Sequence, residues 1–167
     1  VGNRWEELSE LCANRTEDGS LIFADLHYLL ALAGRDRTAE TRRLVSRIHA
    51  DAKHRHNEAQ DRMAIPGCDA ANGLEAFGDG NYALAFAHLV RARSAMQLAG
   101  GSHAQRDVFE RMTIDAGLRA GEFDAAEAIL DDRRAKRRGR EDNYALARRA
   151  LIAAGRTSPT AQSMPAE

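Results

Sequence analysis

Aromatic residues are scarce in this chain, at 5% of 167 residues, with a single tryptophan, Trp5. Ala, Leu and Arg are abundant instead. These residues lose little freedom on entering a helix, so the mixture favours helix over sheet. Proline is rare: three residues, two of them (Pro159 and Pro165) in the last ten. Cysteine is rarer still. Cys12 and Cys68 lie far apart and form no C-x-x-C pair. That argues against a disulfide framework and predicts two small core thiols in a reducing, cytoplasmic setting. No apolar run approaches the roughly 18 residues of a membrane span. No signal peptide is visible, although a chain that opens on Val1 rather than Met is expected to lack its native N-terminus. An excess of charge of either sign is missing too. Lys and Arg number 24, Asp and Glu 25, and the net charge is −1. Such a balance provides no general attraction to nucleic acid or acidic membranes.

What the chain does have is helical periodicity. Tyr82, Ala85, Phe86, Leu89, Ala92, Arg93 and Met96 recur at intervals of three and four. So do Val108, Phe109, Met112 and Ala116, then Phe123, Ala126 and Leu130, then Tyr144, Ala147 and Leu151. Each set forms one apolar stripe on a helix. Eight helices are predicted, at about 3–15, 20–33, 36–54, 68–79, 82–98, 103–120, 123–137 and 141–154. The charged segment from Lys53 to Ile65, which ends at Pro66-Gly67, reads either as an extension of its helix or as a loop. One domain over 1–156 is expected, followed by a disordered tail over 157–167 with little to bury.

Glycines fall where these stripes stop. Gly34, Gly80, Gly121 and Gly155 are 46, 41 and 34 residues apart. Each is expected to end a helix in a left-handed conformation, with another helix following almost at once. The last spacing equals the tetratricopeptide period, and the others read as the same unit with longer helices or linkers. An aromatic lies two residues after Gly80 and Gly121 (Tyr82, Phe123), and an alanine five after (Ala85, Ala126). Gly73 fits the small residue expected in the first helix of a hairpin. Ile114 and Arg148 at the matching places do not. The expected fold is all-α, with antiparallel hairpins stacked as a tetratricopeptide-like right-handed superhelix.

A more specific likeness comes from three segments. Gly100-Gly101-Ser102-His103-Ala104-Gln105-Arg106-Asp107-Val108-Phe109 resembles a motif of the tetratricopeptide repeat protein 38 family. Phe23-Ala24-Asp25-Leu26-His27 resembles the family's Phe-x-Asp-x-His, and Pro66-Gly67-Cys68 its Gly-Leu-Pro-like entry to a helix, with Cys68 in place of a larger apolar residue. The resemblance runs from about Trp5 to Ile152 and implies the C-terminal part of a longer protein. It implies the repeat fold and no established enzymatic activity, cofactor or ligand.

Individual residues then divide between structural and chemical readings. Ser102 and Gln105 have the spacing of a capping box. Asp suits the first turn of a helix but Arg does not, so Arg106 is expected either to pair with Asp25 or to bind an anionic group. Asp25 and His27 lie within an otherwise apolar helix, where a histidine is most simply a satisfied core residue. His49, His54 and His56 with Asp51 lack a recognised metal spacing, and their charged neighbours point to a solvated surface. The basic run Arg133, Arg134, Lys136, Arg137, Arg138 and Arg140 is flanked by Asp131, Asp132, Glu141 and Asp142. With no aromatics interleaved for stacking, it reads as a solvated helix end rather than a nucleic-acid surface. There is no G-x-S-x-G, phosphate-binding glycine loop or H-E-x-x-H.

The expected function is a scaffold that binds a peptide or protein segment in a concave groove, with no cofactor and no metal. The alternative is an enzyme, or an enzyme's accessory half, with a small-molecule pocket around Asp25, His27, Arg106 and Asp107. Trp5, Leu8 and Leu11 on the first helix predict an uncovered apolar face, and through it association between copies.

Overall fold

The computed structural model describes residues 3–34 and 37–157. Its α-helices are α1 (Arg4–Ala13), α2 (Ile22–Ala33), α3 (Thr38–His54), the single turn α4 (Glu58–Arg62), α5 (Cys68–Gly78), α6 (Tyr82–Arg93), α7 (His103–Ala120), α8 (Phe123–Lys136) and α9 (Asn143–Thr157). No strand occurs among the described residues. The all-helical expectation therefore holds. Of the predicted disordered tail, only Thr157 is described, as the last residue of α9; the rest, 158–167, lies outside the described residues.

Three boundaries differ from the sequence reading. The segment after Lys53 is neither one helix nor a plain loop. Arg55 takes a left-handed conformation, α4 follows, and a π-type turn over Met63–Gly67 carries a cis Ile65–Pro66 bond into α5. The predicted helix over 82–98 breaks at Ser94 and resumes as a 3₁₀ turn, Met96–Ala99. The last helix begins later and runs further than 141–154.

The glycine expectations split. Gly80 (φ 75°) and Gly121 (φ 80°) are left-handed. Each closes its helix with the same pair of hydrogen bonds. Asn81 N–H donates to Ala76 O and Gly80 N–H to Phe77 O; Glu122 N–H donates to Gly117 O and Gly121 N–H to Leu118 O. This six-to-one, five-to-two pairing satisfies carbonyls that the helix ends would otherwise leave unpaired. Gly34 ends α2 as expected but in a right-handed conformation, φ −72°. Gly155 is a correction. It lies inside α9, and a Cβ there would collide with the Phe123 ring, so it permits contact between helices rather than a turn.

Such contacts recur. A Cβ on Gly73 of α5 would lie 2.6 Å from Leu89 Cγ of α6, and one on Gly117 of α7 would lie 2.9 Å from the Phe86 ring of α6. Glycine brings helix axes close wherever a large side chain from the neighbouring helix needs room. Helix α5 packs on α6, α6 on α7, α7 on α8, and α8 on α9. Helices α2 and α3 both pack on α5, and α1 packs on α2.

The main core lies within α2, α3, α5 and α6, where Leu26, Leu29, Leu32, Leu44, Ile48 and Leu74 are fully buried. Burying each such side chain stabilises the fold by roughly 1.5–3 kcal/mol. A second, smaller core of Ile114, Ala126, Ile129, Leu130, Ala145 and Ile152 joins α7, α8 and α9. On α1, Ser9 and Cys12 face inward. Trp5, Leu8 and Leu11 remain 49%, 43% and 60% exposed, so the apolar face expected from the sequence is present.

Candidate functional site

Asp25, His27, Arg106 and Asp107 do not meet in one place. Asp25 is buried on α2, and Arg47 Nη2 of α3 stands 2.6 Å from its Oδ2. The approach is close but lacks hydrogen-bond geometry, and Asp25 Oδ1 has no partner among the described residues. Burial raises the Asp25 pKa above the ordinary carboxylate value, against the opposing pull of Arg47. The expected Asp25–Arg106 pair is thus replaced by Asp25–Arg47. Arg47 also donates to Thr16 O at 2.9 Å and pairs with Asp51.

His27 is half-buried and locally satisfied. Its Nδ1 is 2.7 Å from Phe23 O, and its ring lies between Phe23 and Phe109, with centroids 4.3 and 5.3 Å away. His49 bonds Asn72 Oδ1 at 2.8 Å. His54 stacks on His56. Among the described residues, no three His, Cys, Asp or Glu side chains converge as metal ligands would. Both cysteines are free thiols.

Ser102 and Gln105 form the expected capping box. Gln105 N–H donates to Ser102 Oγ at 3.3 Å, and Ser102 N–H to Gln105 Oε1 at 2.9 Å. Arg106 turns back along the helix start and donates to Gly100 O and Gly101 O.

Asp107 belongs to a different assembly. Arg133, expected on a solvated helix end, is 2% exposed and is the centre of a charged network. Its Nε and Nη2 clasp Asp107 at 2.9 and 2.7 Å, while Nη1 and Nη2 clasp Asp142 at 3.0 Å each. Arg137 bridges the same two carboxylates, and Arg111 reaches Asp107 at 2.7 Å. Asp142 also accepts from Ala145 N–H at 2.9 Å, which caps α9. Burial alone would raise the Asp107 pKa, but hydrogen bonds from Arg133 and Arg111 outweigh it and hold the carboxyl below its ordinary range. Hydrogen bonding from Arg133 depresses Asp142 further. Beside them the Tyr144 hydroxyl, with its single proton, lies 2.8 Å from Arg111 O and 2.9 Å from Asp115 Oδ1, and the Arg148 guanidinium carbon is 4.2 Å from its ring centroid. The residue type and the surrounding run of basic residues hide the burial of Arg133. Its only sequence signal is its place on the same helical face as Ala126, Ile129 and Leu130.

Of the cavities among the described residues, two bear on function. One, of about 370 Å³, is lined by Trp5 of α1, Leu30 of α2, Leu74 and Phe77 of α5, and Val108 and Met112 of α7, almost all apolar. At its edge Arg119 of α7 stands over the Phe77 and Tyr82 rings. The other, of about 310 Å³, lies between α6, the 3₁₀ turn, α7 and the end of α8, and Arg106 and Asp107 both line it. The groove lined by Trp5 is invisible in the sequence because its walls come from four separate helices. No helix among the described residues is long and apolar enough to cross a membrane. No family model matches the chain, and no solved structure was found to match it.

Proposed function

We propose that this chain is a partner-binding scaffold in which tetratricopeptide-like hairpins stack into a right-handed superhelix, and that its groove receives an apolar segment of a peptide or protein. The observation that carries this reading is the 370 Å³ cavity whose apolar walls come from α1, α2, α5 and α7, with Trp5 half exposed at its lip. Helices α5 and α7 each open a hairpin closed by a left-handed glycine. Their shared face is where a stacked array presents its concave surface. A groove of this kind takes side chains spaced along an extended or helical ligand as anchors. The resemblance to the tetratricopeptide repeat protein 38 family in the segments around Asp25 and Ser102 agrees with this architecture. The enzyme reading has less support, because Asp25, His27, Arg106 and Asp107 are engaged separately.

Selection from a displayed peptide library tests the proposal. Wild-type protein is expected to enrich sequences with apolar anchors, and Met112→Glu to lose them while keeping its helix content. Failure to enrich any sequence, or equal enrichment by both proteins, overturns it. The uncovered Leu8 and Leu11 beside the groove favour a second reading, association between copies through α1. Sedimentation at micromolar concentration tests that reading: a strict monomer overturns it, and a dimer broken by Leu11→Glu supports it.

A further inference from the structure

The second cavity shares no lining residue with the apolar groove and has a different chemistry. Its floor is apolar: Leu89, Ala92 and Phe109 are buried beneath it, with Met96 alongside. Thr113 adds no free polar group there, because its hydroxyl donates to Phe109 O at 2.8 Å. The rim is charged, and its charges are unequally engaged. Both carboxylates are occupied. Asp107 is held by Arg111, Arg133 and Arg137, and Glu110 accepts from Arg93 at 3.0 Å. Arg93 is occupied in turn, by Glu110 and by Asp132.

Two rim cations are held less tightly. Among the described residues Arg106 meets backbone carbonyls and His103 and pairs with no carboxylate. Lys136 makes only a long ion pair, 3.9 Å, with Glu110, a carboxylate already held by Arg93, and its side chain is 68% exposed. An apolar floor beneath one cation without a carboxylate and another that is weakly paired suits a ligand with the converse distribution. The apolar part would replace water over Leu89 and Phe109. The anionic end would lie among Arg106, Lys136 and His103, and an arginine fork suits a carboxylate. The volume sits at the small end of ligand sites, roughly 300–1,000 Å³. That suits one chain or ring system of modest length and is small for a two-chain lipid.

We propose that this cavity is a binding site for a small amphiphilic monocarboxylate, held by Arg106 and Lys136 over the floor formed by Leu89, Ala92, Met96 and Phe109. The site is independent of the peptide groove and implies no reaction.

Decanoate is the probe, with decan-1-ol as the uncharged control, followed by titration calorimetry and by amide chemical shifts. Saturable decanoate binding is expected, with shifts centred on Met96, Phe109 and Thr113, and at least tenfold weaker binding of the alcohol. Lys136→Glu alters an exposed side chain and is expected to keep the fold while weakening decanoate at least tenfold. Arg106→Gln tests the second cation, with helix content checked because the native side chain also holds the Gly100 and Gly101 carbonyls. A tenfold loss in either variant supports the site. The proposal is overturned by no saturable binding at millimolar decanoate, by equal affinity for the alcohol, by shifts centred on Trp5 instead, or by unchanged affinity in both variants.

Discussion

The helices before Ser94 and those after His103 are joined by similar glycine turns but filled differently. Between α2 and α6 the interior is a broad apolar core, with Leu26, Leu29, Leu32, Leu44, Ile48 and Leu74 out of contact with solvent. Between α7 and α9 the apolar core is smaller, and a charged network of Asp107, Arg133, Arg137 and Asp142 completes it. Hydrophobic packing tolerates volume-conserving change. A buried ion network does not tolerate the loss of one member, because the remaining charges stay buried without compensation. Similar backbone geometry therefore supports two kinds of interior with opposite sensitivities.

The largest expected effect is at Arg133. Replacing it with Met leaves Asp107 and Asp142 facing each other with weaker compensation and is expected to cost about 3–5 kcal/mol. Denaturant unfolding measures this. A loss under about 1 kcal/mol would mean that Arg137 and Arg111 suffice and that the contrast between the two regions is false.

Next come the glycines that let helices approach. Alanine is favoured over glycine within a helix by about 1 kcal/mol. At Gly73 and Gly155 the added methyl group would meet Leu89 and Phe123, and overpacking typically costs about 1–3 kcal/mol. A net loss is expected in both variants. Stabilisation of either would show that its neighbour yields easily.

Gly121→Val isolates the turn, because a Cβ there would meet nothing within 4 Å. The left-handed conformation alone is expected to cost about 1 kcal/mol or more. Ser102→Ala removes the capping hydroxyl of α7 and is expected to cost about 1 kcal/mol. An unchanged melting midpoint for either variant would contradict these assignments.

The smallest effect is one of ordering. The lowered pKa values of Asp107 and Asp142 give stability that is present above the ordinary carboxylate value and is lost as pH falls through their depressed values. Asp25, raised by burial, acts in the opposite sense: its contribution is present in acid and is lost as pH rises through its folded value. Hydrogen exchange on acidification should therefore release α8 and α9 before α2 and α3. The reverse order would overturn the comparison.

Much of the fold was legible because helical stripes and turn glycines are local. Ser102 and Gln105 announced their cap across three residues, and Gly80 and Gly121 announced two turns. Gly155 misled because close helix packing and helix termination call for the same residue. Arg133 misled because it sits in a run of arginines, and only the arrival of Asp107 and Asp142 from elsewhere makes it an interior residue. The two cavities were hidden for a similar reason, since each combines residues from several helices.

Trp5 has a practical consequence. It is the chain's only tryptophan, stands half exposed at the apolar groove and takes no part in lining the second cavity. Its emission is therefore an intrinsic optical signal for one of the two cavities. A blue shift on adding a ligand would report the groove being covered, whereas a molecule bound between α6 and α7 should leave the spectrum unchanged. With no label attached, fluorescence can sort ligands by the surface they occupy.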